Sequence, residues 1–582
     1  MPGTEAEIGP DSERRGRIFL AVALLLTAVS YSGTLRGQFV YDDVTQIVRN
    51  PFLQSWSFLP QYFSQHVWAH IWPDQPGNYY RPVFLVWLLI NRSLFGLEPL
   101  GWHVMSLLAQ LACTALVYRL AERLLRDGYA AGFTALIFGV HPVHLEGVAW
   151  VSGATEPLMA VLAVASFLCW MDWYEHAPRR GLWLAGSLIL FLFSMMMKET
   201  GMAVAGLAAV HALAFPHEPG RRKAVTGALS ALAAFLPVAA AYLAMRAHVL
   251  RGGGQPEWAE LANFLLTLPS VAMFYLQHLL WPVKLGVFYD LGMVTRPEFR
   301  GFWLPLAGVI AGAGTLGWWA RRRPKVMSGL AWLILPLLPA LAGVAVFDPH
   351  DLVHDRYLYL PVAGFAMLVA LGLRKIRWGR SEVFGLPAGQ AVAFGALVLF
   401  LAAATAAQSG YWASNLLLYT RGVEIAPGNV LARDNLANEL HKRGRTDLAI
   451  QLYKESAALD PQHWTTHFAM GVTYFESGRF EEADQALSRA IQLRPLNANQ
   501  YYFQGLARMN SGRWPEAETP LRKAIEIWPR EAGFHHALGT VLSRLGQEDE
   551  ARREWETALQ LNPASPARQE LEEMKRRVSV PR

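Results

Sequence analysis

Apolar segments long enough to cross a bilayer recur along this chain from residue 17 to about residue 410. A helix needs about 20 consecutive apolar residues to cross ~30 Å of hydrocarbon. Hydrophobic residue types make up 53% of the 582 residues and charged types only 17%, whereas soluble domains average about 25% charged residues. These proportions exclude a single soluble globule, a disordered protein and a fibrous repeat. We therefore predict a polytopic, all-α bundle of membrane-spanning helices.

Basic residues between the apolar segments predict the orientation of the bundle, because Lys and Arg concentrate on the cytoplasmic side. The first segment, residues 17–35, follows Arg14 and Arg15 and has no small-residue cleavage motif, so we interpret it as an uncleaved span. Residues 263–283 break the parity of the count, and we expect a re-entrant or half-buried helix there. About eleven spans remain, at residues 17–35, 101–120, 130–148, 154–173, 181–197, 201–216, 224–245, 302–320, 328–346, 357–373 and 389–409.

This topology predicts which parts of the chain lie outside the cytoplasm. The N-terminus is cytoplasmic, whereas the long loop 36–81 and everything after residue 410 are extracytoplasmic. The net charge of +6 is then an orientation signal, and we expect no nucleic-acid partner. Cys113 and Cys169 both lie in apolar runs, which leaves neither a disulfide framework nor a cysteine-rich metal site.

The polar last third of the chain repeats with a period of 34 residues. This period, with small residues in fixed rows, is typical of tetratricopeptide repeats. Small residues let two antiparallel helices approach, glycine makes the turn between them, and proline ends the second helix. The rows are Pro427, Pro461, Pro495, Pro529 and Pro563; Gly444, Gly478, Gly512 and Gly546; and Ala449, Ala483, Ala517 and Ala551.

The repeats divide the chain into predicted domains. One repeat cannot bury its own apolar face, so at least three must stack, and we count four. They are residues 430–463, 464–497, 498–531 and 532–565. The full prediction is a membrane domain at residues 1–410, a half-repeat or linker at 411–429, a solenoid at 430–565, and a capping helix with a tail at 566–582.

One position of the repeat is a candidate acceptor groove. Asp434, Phe468, Tyr502 and His536 share this position, which we expect to face the concave side of the solenoid. The four side chains are either a ladder that grips an extended polypeptide or ordinary surface variation, and we favour the second interpretation.

Ionisable residues at membrane depth are costly, so each is a functional candidate. Asp42 and Asp43 are adjacent in the first external loop, where one carboxylate can act as a general base while the other orients it. Arg and Lys at the membrane boundary suit an anionic phosphate. This combination fits inverting transfer from a lipid-phosphate sugar. The other candidates are Arg81, His141, His144, Glu146, Glu156, Lys198, Glu199, His354, Asp355, Arg356 and Tyr357.

Other interpretations of these residues remain open. The Asp42–Asp43 pair is also compatible with a turn or a helix cap. His141, His144 and Glu146 are ligand types that suit zinc, although Pro142 interrupts their helical spacing. Lys198 could snorkel to the interface, and Arg356 could be an ion-pair partner of Asp355.

Several short motifs follow one another in the order seen in a known family. Together with the repeats, they resemble the transmembrane and tetratricopeptide-repeat-containing O-mannosyltransferase family and its bacterial relatives, over nearly the whole chain. The motifs are residues 39–51 (FVYDDVTQIVRNP), 80–83 (YRPV), Asn91, 101–103 (GWH), 141–149 (HPVHLEGVA), Lys198-Glu199 and 356–361 (RYLYLP).

The resemblance implies a GT-C glycosyltransferase in the bacterial inner membrane, which uses a polyprenyl- or dolichyl-phosphate sugar without a metal or other cofactor. In related enzymes an aspartate of the first external loop is the catalytic base, which maps onto Asp42 or Asp43; we favour Asp42, with Asp43 supporting it. Arg81, Lys198, Arg356 and Tyr357 would contact the donor phosphate and lipid. The implied cavity residues are Tyr80, His141, His144, Glu146, Glu156, Glu199, His354 and Asp355.

Three functions compete at this stage. The first is an O-glycosyltransferase that moves a mannose-like hexose to protein hydroxyls, with the repeats recruiting the acceptor. The second is a lipid-linked glycan ligase or polymerase, and the third is a non-catalytic membrane scaffold. The charged residues at membrane depth argue against a scaffold, and the ordered motifs favour the first function. The residues His354-Asp355 before the arginine depart from the family pattern, so the identity of the sugar stays open.

Overall fold

The computed structural model describes residues 10–71, 79–175, 178–250, 261–376, 378 and 381–579. These residues are almost entirely helical, which confirms the predicted all-α class. The chain forms two compact units, residues 1–421 and 422–582. This division falls between the predicted limits at 410 and 429, and the four-part domain scheme itself stays a prediction.

The first unit contains the helices of the apolar part of the chain. They are α1 (Pro10–Ser30), α2 (Leu59–Tyr62), α3 (Pro82–Phe95), α4 (Pro99–Leu125), α5 (Gly128–Val140), α6 (Leu145–Ala149), α7 (Thr155–Tyr174), α8 (Arg180–Met197), α9 (Ala203–Ala214), α10 (Arg221–Val249), α11 (Leu261–Leu280), α12 (Leu304–Ala320), α13 (Pro324–Ile334), α14 (Leu338–Gly343), α15 (Pro361–Leu373) and α16 (Ala388–Ser409). Helix α17 (Asn415–Ile425) contains the boundary between the units.

Shorter elements connect these helices. An antiparallel pair of two-residue strands, β1 (Glu382–Val383) and β2 (Leu386–Pro387), precedes α16. Two π-helical turns are Val44–Val48 and Phe299–Trp303. The 3-10 turns are Ser32–Arg36, Pro51–Gln54, Trp56–Phe58, Pro142–His144, Ser152–Ala154, Glu199–Met202, Leu335–Leu337, Asp355–Leu358 and Gly410–Ala413.

Nine helical segments within the described residues are long and apolar enough to cross a membrane. The helix at Leu261–Leu280 is among them, where we expected a re-entrant or half-buried segment; it is continuous although Pro269 lies inside it. The nine segments are Ser12–Arg36, Pro99–Leu125, Ser152–Tyr174, Arg180–Met197, Arg221–Val249, Leu261–Leu280, Phe299–Ala320, Pro324–Gly343 and Ala388–Ala413.

Four further apolar helices are shorter, at Pro82–Phe95, Gly128–Val140, Glu199–Ala214 and Pro361–Leu373. Three of them correspond to predicted spans. The helix at Pro82–Phe95 is not among the predicted spans, because a helix of 14 residues falls below the length expected of a crossing. The predicted span at 130–148 ends in the structure at Val140, because Pro142 cannot continue the helix.

Helix α5 is the centre of the first unit, since all of its residues are buried. It packs closely against α1 through glycines. A Cβ atom at Gly132 would lie 2.5 Å from Cβ of Phe19, so only glycine fits at this contact. Small residues at such contacts let helix backbones approach closely, which is how helices associate in lipid. The end of α5 therefore holds the His141–Ala149 segment in a fixed place.

The second unit is a series of paired helices with the predicted period. The glycines at residues 444, 478, 512 and 546 end the first helix of each pair with φ between +75° and +81°, a conformation that favours glycine. The helices are α18 (Val430–Lys442), α19 (Thr446–Leu459), α20 (Trp464–Glu476), α21 (Phe480–Leu493), α22 (Ala498–Asn510), α23 (Trp514–Ile527), α24 (Ala532–Arg544), α25 (Glu548–Leu561) and α26 (Ala567–Ser579).

Candidate active site

Asp43 is a buried anchor of the first external loop. One carboxylate oxygen accepts hydrogen bonds from the backbone N–H of Ser152, at 2.7 Å, and from its hydroxyl, at 2.6 Å. The other oxygen accepts from the backbone N–H of Val40 at 3.1 Å. Burial raises the pKa of Asp43 to about 7, although the hydrogen bonds from Ser152 and Val40 favour the charged form. One oxygen thus ties the loop to the turn that precedes α7, and the other is bonded within the loop.

Asp42 has a different environment, because its side chain is partly exposed and makes no hydrogen bond or ion pair with any described residue. Burial raises its pKa to about 6; the positive charge of Arg356 opposes this shift, and the negative charge of Asp351 adds to it. The backbone carbonyl of Asp42 accepts from the N–H groups of Thr45 and Gln46, at 3.0 and 2.8 Å, which fixes the residue. Asp42 therefore has a carboxylate without a hydrogen-bond partner among the described residues, on a backbone that hydrogen bonds hold in place.

The residue before Asp42 has a strained backbone. Tyr41 has φ of +57°, a left-handed conformation that is uncommon for an aromatic residue. Its N–H donates to Oδ1 of Asn415 at 2.8 Å, and its ring packs against Trp150 with centroids 5.4 Å apart. Strain of this kind persists only where the surroundings enforce it, and it clusters at functional sites.

The three predicted phosphate-binding cations are each held by a glutamate. Arg81 donates to Glu199 at 2.9 Å. Lys198 forms an ion pair with Glu156, and the guanidinium of Arg356 forms one with Glu146. The backbone N–H of Arg356 also donates to the second carboxylate oxygen of Glu146 at 2.8 Å. All six residues were candidates from the sequence, and the pairs are Arg81–Glu199, Lys198–Glu156 and Arg356–Glu146.

Aromatic rings join the cationic groups into one cluster. Nζ of Lys198 lies 4.7 Å from the ring centroid of Tyr357, and the guanidinium of Arg356 lies 5.3 Å from the same ring. The guanidinium of Arg81 lies 4.4 Å from the ring of Tyr79. Lys198 is 6% exposed and is paired inside the protein, so the snorkelling interpretation is wrong. The two arginines are each 17% exposed and still reach the surface of the site.

His141 and His144 are fully buried and bonded within the protein. Nε2 of His141 contacts the carbonyl of Leu279 at 3.2 Å, and its Nδ1 accepts from the N–H of Val143. Nε2 of His144 contacts the carbonyl of Tyr359 at 3.2 Å, and its Nδ1 contacts the amide of Gln110. All four ring nitrogens are therefore engaged in holding the segment, and the described residues bring no three potential metal ligands together.

The segment before Arg356 contributes a second buried network. Nδ1 of His278 lies 2.7 Å from one oxygen of Asp355, and the hydroxyl of Tyr289 donates to the other oxygen. Asp355 is therefore not the partner of Arg356, contrary to the ion-pair interpretation. His354 lies between two carboxylates, with Nε2 at 3.4 Å from Asp351 and Nδ1 at 3.8 Å from Glu146.

Several residues of this site were not predicted from the sequence. Asp351 and Trp150 face the charged cluster, while His278 and Tyr289 hold Asp355. Asp351 was detectable in principle, since it is an acidic residue between two apolar segments and three positions before His354. Tyr80, a predicted cavity residue, is buried, and its hydroxyl donates to the carbonyl of Phe63 at 3.1 Å.

The predicted acceptor-groove position contacts the next helical hairpin in all four repeats. Asp434 accepts from the hydroxyl of Thr466 at 2.6 Å and is buried. The other three side chains are partly exposed. Their partners are one repeat further along the chain: Phe468 with Phe503, Tyr502 with Phe534, and His536 with Glu570. The shared position therefore joins successive repeats, which explains its varied chemistry.

Comparison with known proteins agrees with both parts of the chain. Residues 440–507 match the family model described as a tetratricopeptide repeat. Solved structures similar to part of the chain include MamA from Desulfovibrio magneticus RS-1 (18% identity, 26% of this chain, 85% of that chain, TM-score 0.25) and the tetratricopeptide protein YrrB (21% identity, 25% of this chain, 75% of that chain, TM-score 0.24).

Curated relatives match across the apolar part as well. The protein O-mannosyl-transferase F38B6.6 of Caenorhabditis elegans is 27% identical over 76% of this chain and 63% of its own length. The protein O-mannosyl-transferases TMTC1 of Homo sapiens and Tmtc3 of Drosophila melanogaster are 26% and 25% identical over 76% and 81% of this chain, and over 55% and 58% of their own lengths. The alignments thus span less than two thirds of these relatives. The chain is a homologue of the TMTC-type protein O-mannosyltransferases, the family that its motifs resemble.

Proposed function

We propose that this protein transfers a hexose, mannose in the first instance, from a polyprenyl-phosphate donor to hydroxyl groups of a protein on the extracytoplasmic side, with inversion at the sugar. The observation that carries the proposal is the contrast between Asp42 and its neighbours. Asp42 keeps a carboxylate without a hydrogen-bond partner in the described part of the chain, beside a cluster in which cations are held ready by glutamates.

The reaction follows from these groups. The acceptor hydroxyl oxygen attacks the anomeric carbon while Asp42 takes the hydroxyl proton. The bond between that carbon and the phosphate oxygen breaks, and polyprenyl phosphate leaves with both bonding electrons. A carboxylate with a pKa of about 6 is mostly ionised at neutral pH and is still basic enough to accept a proton. One displacement without a covalent intermediate inverts the sugar configuration.

The cations stabilise the departing phosphate. A guanidinium has five N–H donors in a fixed plane, so an arginine that binds one glutamate keeps donors for a phosphate. The Arg81 side chain is 17% exposed although one of its nitrogens binds Glu199, so we propose that its remaining donors bind the phosphate. The glutamates hold the cations in place before the donor arrives. We propose that these side chains fill the role of a metal ion, and that transfer needs no metal.

The repeats are proposed to recruit the protein acceptor. Four stacked repeats are a costly addition to an enzyme whose acceptor is a small molecule, and the relatives are named for transfer to proteins.

Because we propose that transfer needs no metal, chelation of metal ions by EDTA should leave the rate of transfer unchanged.

Intact-mass analysis of extracytoplasmic proteins, from cells with and without this chain, tests the reaction class. We expect protein masses that differ by one hexose or a multiple, and the sugar is identified by hydrolysis of the modified protein. A change confined to lipid-linked glycans would instead identify a ligase or polymerase. No change in either fraction would indicate a scaffold.

A further inference from the structure

A cavity of about 380 Å³ lies at the end of the first unit that is remote from Asp42. Helix α7 links the two ends: Glu156 in its first turn pairs with Lys198, and Tyr174 in its last turn lines the cavity. These two residues are separated by about 27 Å of helix at 1.5 Å per residue. The cavity is thus distinct from the candidate active site, and its volume lies in the range of small-molecule pockets.

His211 is the polar side chain that this cavity leaves without a partner. It is 5% exposed and lines the cavity. Aromatic rings surround it, including Phe167 at 5.8 Å and Trp170 at 5.5 Å between centroids. No described residue makes a hydrogen bond to its ring, and its Nδ1 is fully buried. A buried imidazole without a partner is costly, so a ligand that accepts a hydrogen bond here removes that cost.

The other walls of the cavity favour an anion. Arg126 and Arg123 line it together with His217, whose ring stacks on Tyr174 with centroids 3.9 Å apart. Glu175 is the acidic residue of the lining, and Arg123 already binds it at 2.6 Å. Hydrogen-bond donors and cationic groups therefore outnumber free acceptors among the described lining residues.

Further basic residues lie close in sequence to the residues that line the cavity. Nζ of Lys325 donates to the carbonyl of Leu125 at 2.5 Å, which holds the start of α13 against the end of α4. Arg180 donates to the carbonyl of Trp173 at 3.0 Å, and this hydrogen bond holds the start of α8 against the end of α7. Further basic residues lie in the connections before α8 and α13, at Arg179, Arg321, Arg322 and Arg323. Such an excess attracts anionic headgroups to a membrane protein.

We propose that this cavity binds a phosphate group, either of an anionic phospholipid or free in solution, through His211 and Arg126. The proposal is independent of the glycosyltransferase reaction, because it uses none of the residues around Asp42. The phosphate oxygens accept from the imidazole N–H and the guanidinium, and the aromatic walls cover the rest of the headgroup.

Binding to the purified, delipidated full-length protein tests this proposal. The probes are dioctanoyl phosphatidylglycerol, dioctanoyl phosphatidylcholine and inorganic phosphate, with affinity measured by native mass spectrometry in a neutral detergent. We expect phosphatidylglycerol to bind more tightly than phosphatidylcholine, and His211→Phe, which keeps the aromatic packing, to weaken binding about tenfold or more. Arg222→Gln is the matched control, because Arg222 is exposed and outside the cavity.

The same experiment decides whether the cavity binds phosphate and whether that phosphate belongs to a lipid or is free in solution. Equal binding of inorganic phosphate, lost in His211→Phe, supports the site and identifies free phosphate as its ligand. If His211→Phe does not fold, Arg126→Asn decides, because Asn tolerates the left-handed backbone at this position, where φ is +49°. The proposal is overturned if neither anionic probe binds, or if the decisive cavity variant binds as well as Arg222→Gln.

Discussion

Asp42 and Asp43 are adjacent in the sequence, yet their carboxylates differ in what they contact. Asp43 accepts three hydrogen bonds and is buried, whereas Asp42 is partly exposed beside Arg356. The sequence motif identifies the pair and predicts that one of them is the base. It does not predict the partner of Asp43, because Ser152 is 109 residues away and comes close only when the bundle forms.

The pH dependence of transfer tests the state of Asp42. The base must be ionised, so kcat/KM should rise with pH through a midpoint near 6 and then level off. Asp351→Asn removes a negative charge that raises the pKa of Asp42, so the midpoint should move to lower pH. A rate that does not change between pH 5 and 8 would contradict the assignment; these limits lie about one to two units on either side of the expected pKa. A midpoint that moves to higher pH in Asp351→Asn would contradict it as well.

At the scale of helices, glycine contacts and ion pairs position the site. The small residues of the 34-residue repeat predict close helix packing. Gly471 is a further glycine at such a contact, since a Cβ atom there would lie 2.7 Å from Cγ of Leu487. The same kind of contact at Gly132 in α5 was not predicted, because no repeat marks it. The charged residues were identified as a set from the sequence. Which of them form ion pairs was not predicted, because partners such as Lys198 and Glu156 are 42 residues apart in the chain.

Gly132→Ala should destabilise the protein by about 1–3 kcal/mol, because its Cβ overlaps Phe19 and the core of α1 and α5 has no room for it. Gly312→Ala is the matched control, since Gly312 is also within an apolar helix and has no neighbouring atom within 4 Å of the added Cβ. The measurement is thermal unfolding in detergent. The packing argument fails if both variants melt at the same temperature as the parent.

Lys198 and Glu156 form a buried ion pair, and substitutions of the two residues should affect stability and activity differently. Lys198→Met leaves Glu156 buried without its partner, which should cost about 3–5 kcal/mol. Adding Glu156→Leu should recover most of this stability, because apolar residues replace buried ion pairs well. Sugar transfer should stay low in the double variant if Lys198 binds the donor phosphate. Recovery of both properties together would show that the pair is only structural.

At the scale of the whole molecule, the chain combines an apolar unit and a polar solenoid, and its 53% hydrophobic content is an average of the two. The period of 34 residues predicts repeats that start at residues 430, 464, 498 and 532, and a helix begins at each of these residues. This regularity follows because each repeat depends mainly on its neighbours. The apolar unit was less predictable. The 14-residue helix at Pro82–Phe95 is too short for a prediction based on length. The helix at Leu261–Leu280, which we expected to be re-entrant or half-buried, is long and apolar enough to cross a membrane.

Removal of residues 430–582 separates the two functions assigned to the molecule. We expect transfer to a folded protein acceptor to fall by at least about tenfold, while slow hydrolysis of the polyprenyl-phosphate sugar continues, because every residue assigned to the reaction lies in the first unit. Both rates are measured with the same radiolabelled donor. An equal loss of transfer and hydrolysis would indicate that the repeats only stabilise the protein.

The central claim is that Asp42 removes the acceptor proton, and a donor-to-protein transfer assay with Asp42→Asn tests it most directly. The variant should fold, insert and bind the donor as the parent does, since the side chain of Asp42 has no partner in the described part of the chain. Its transfer rate should fall by about 10²- to 10⁴-fold, the contribution of a general base. A rate close to that of the parent would contradict the account.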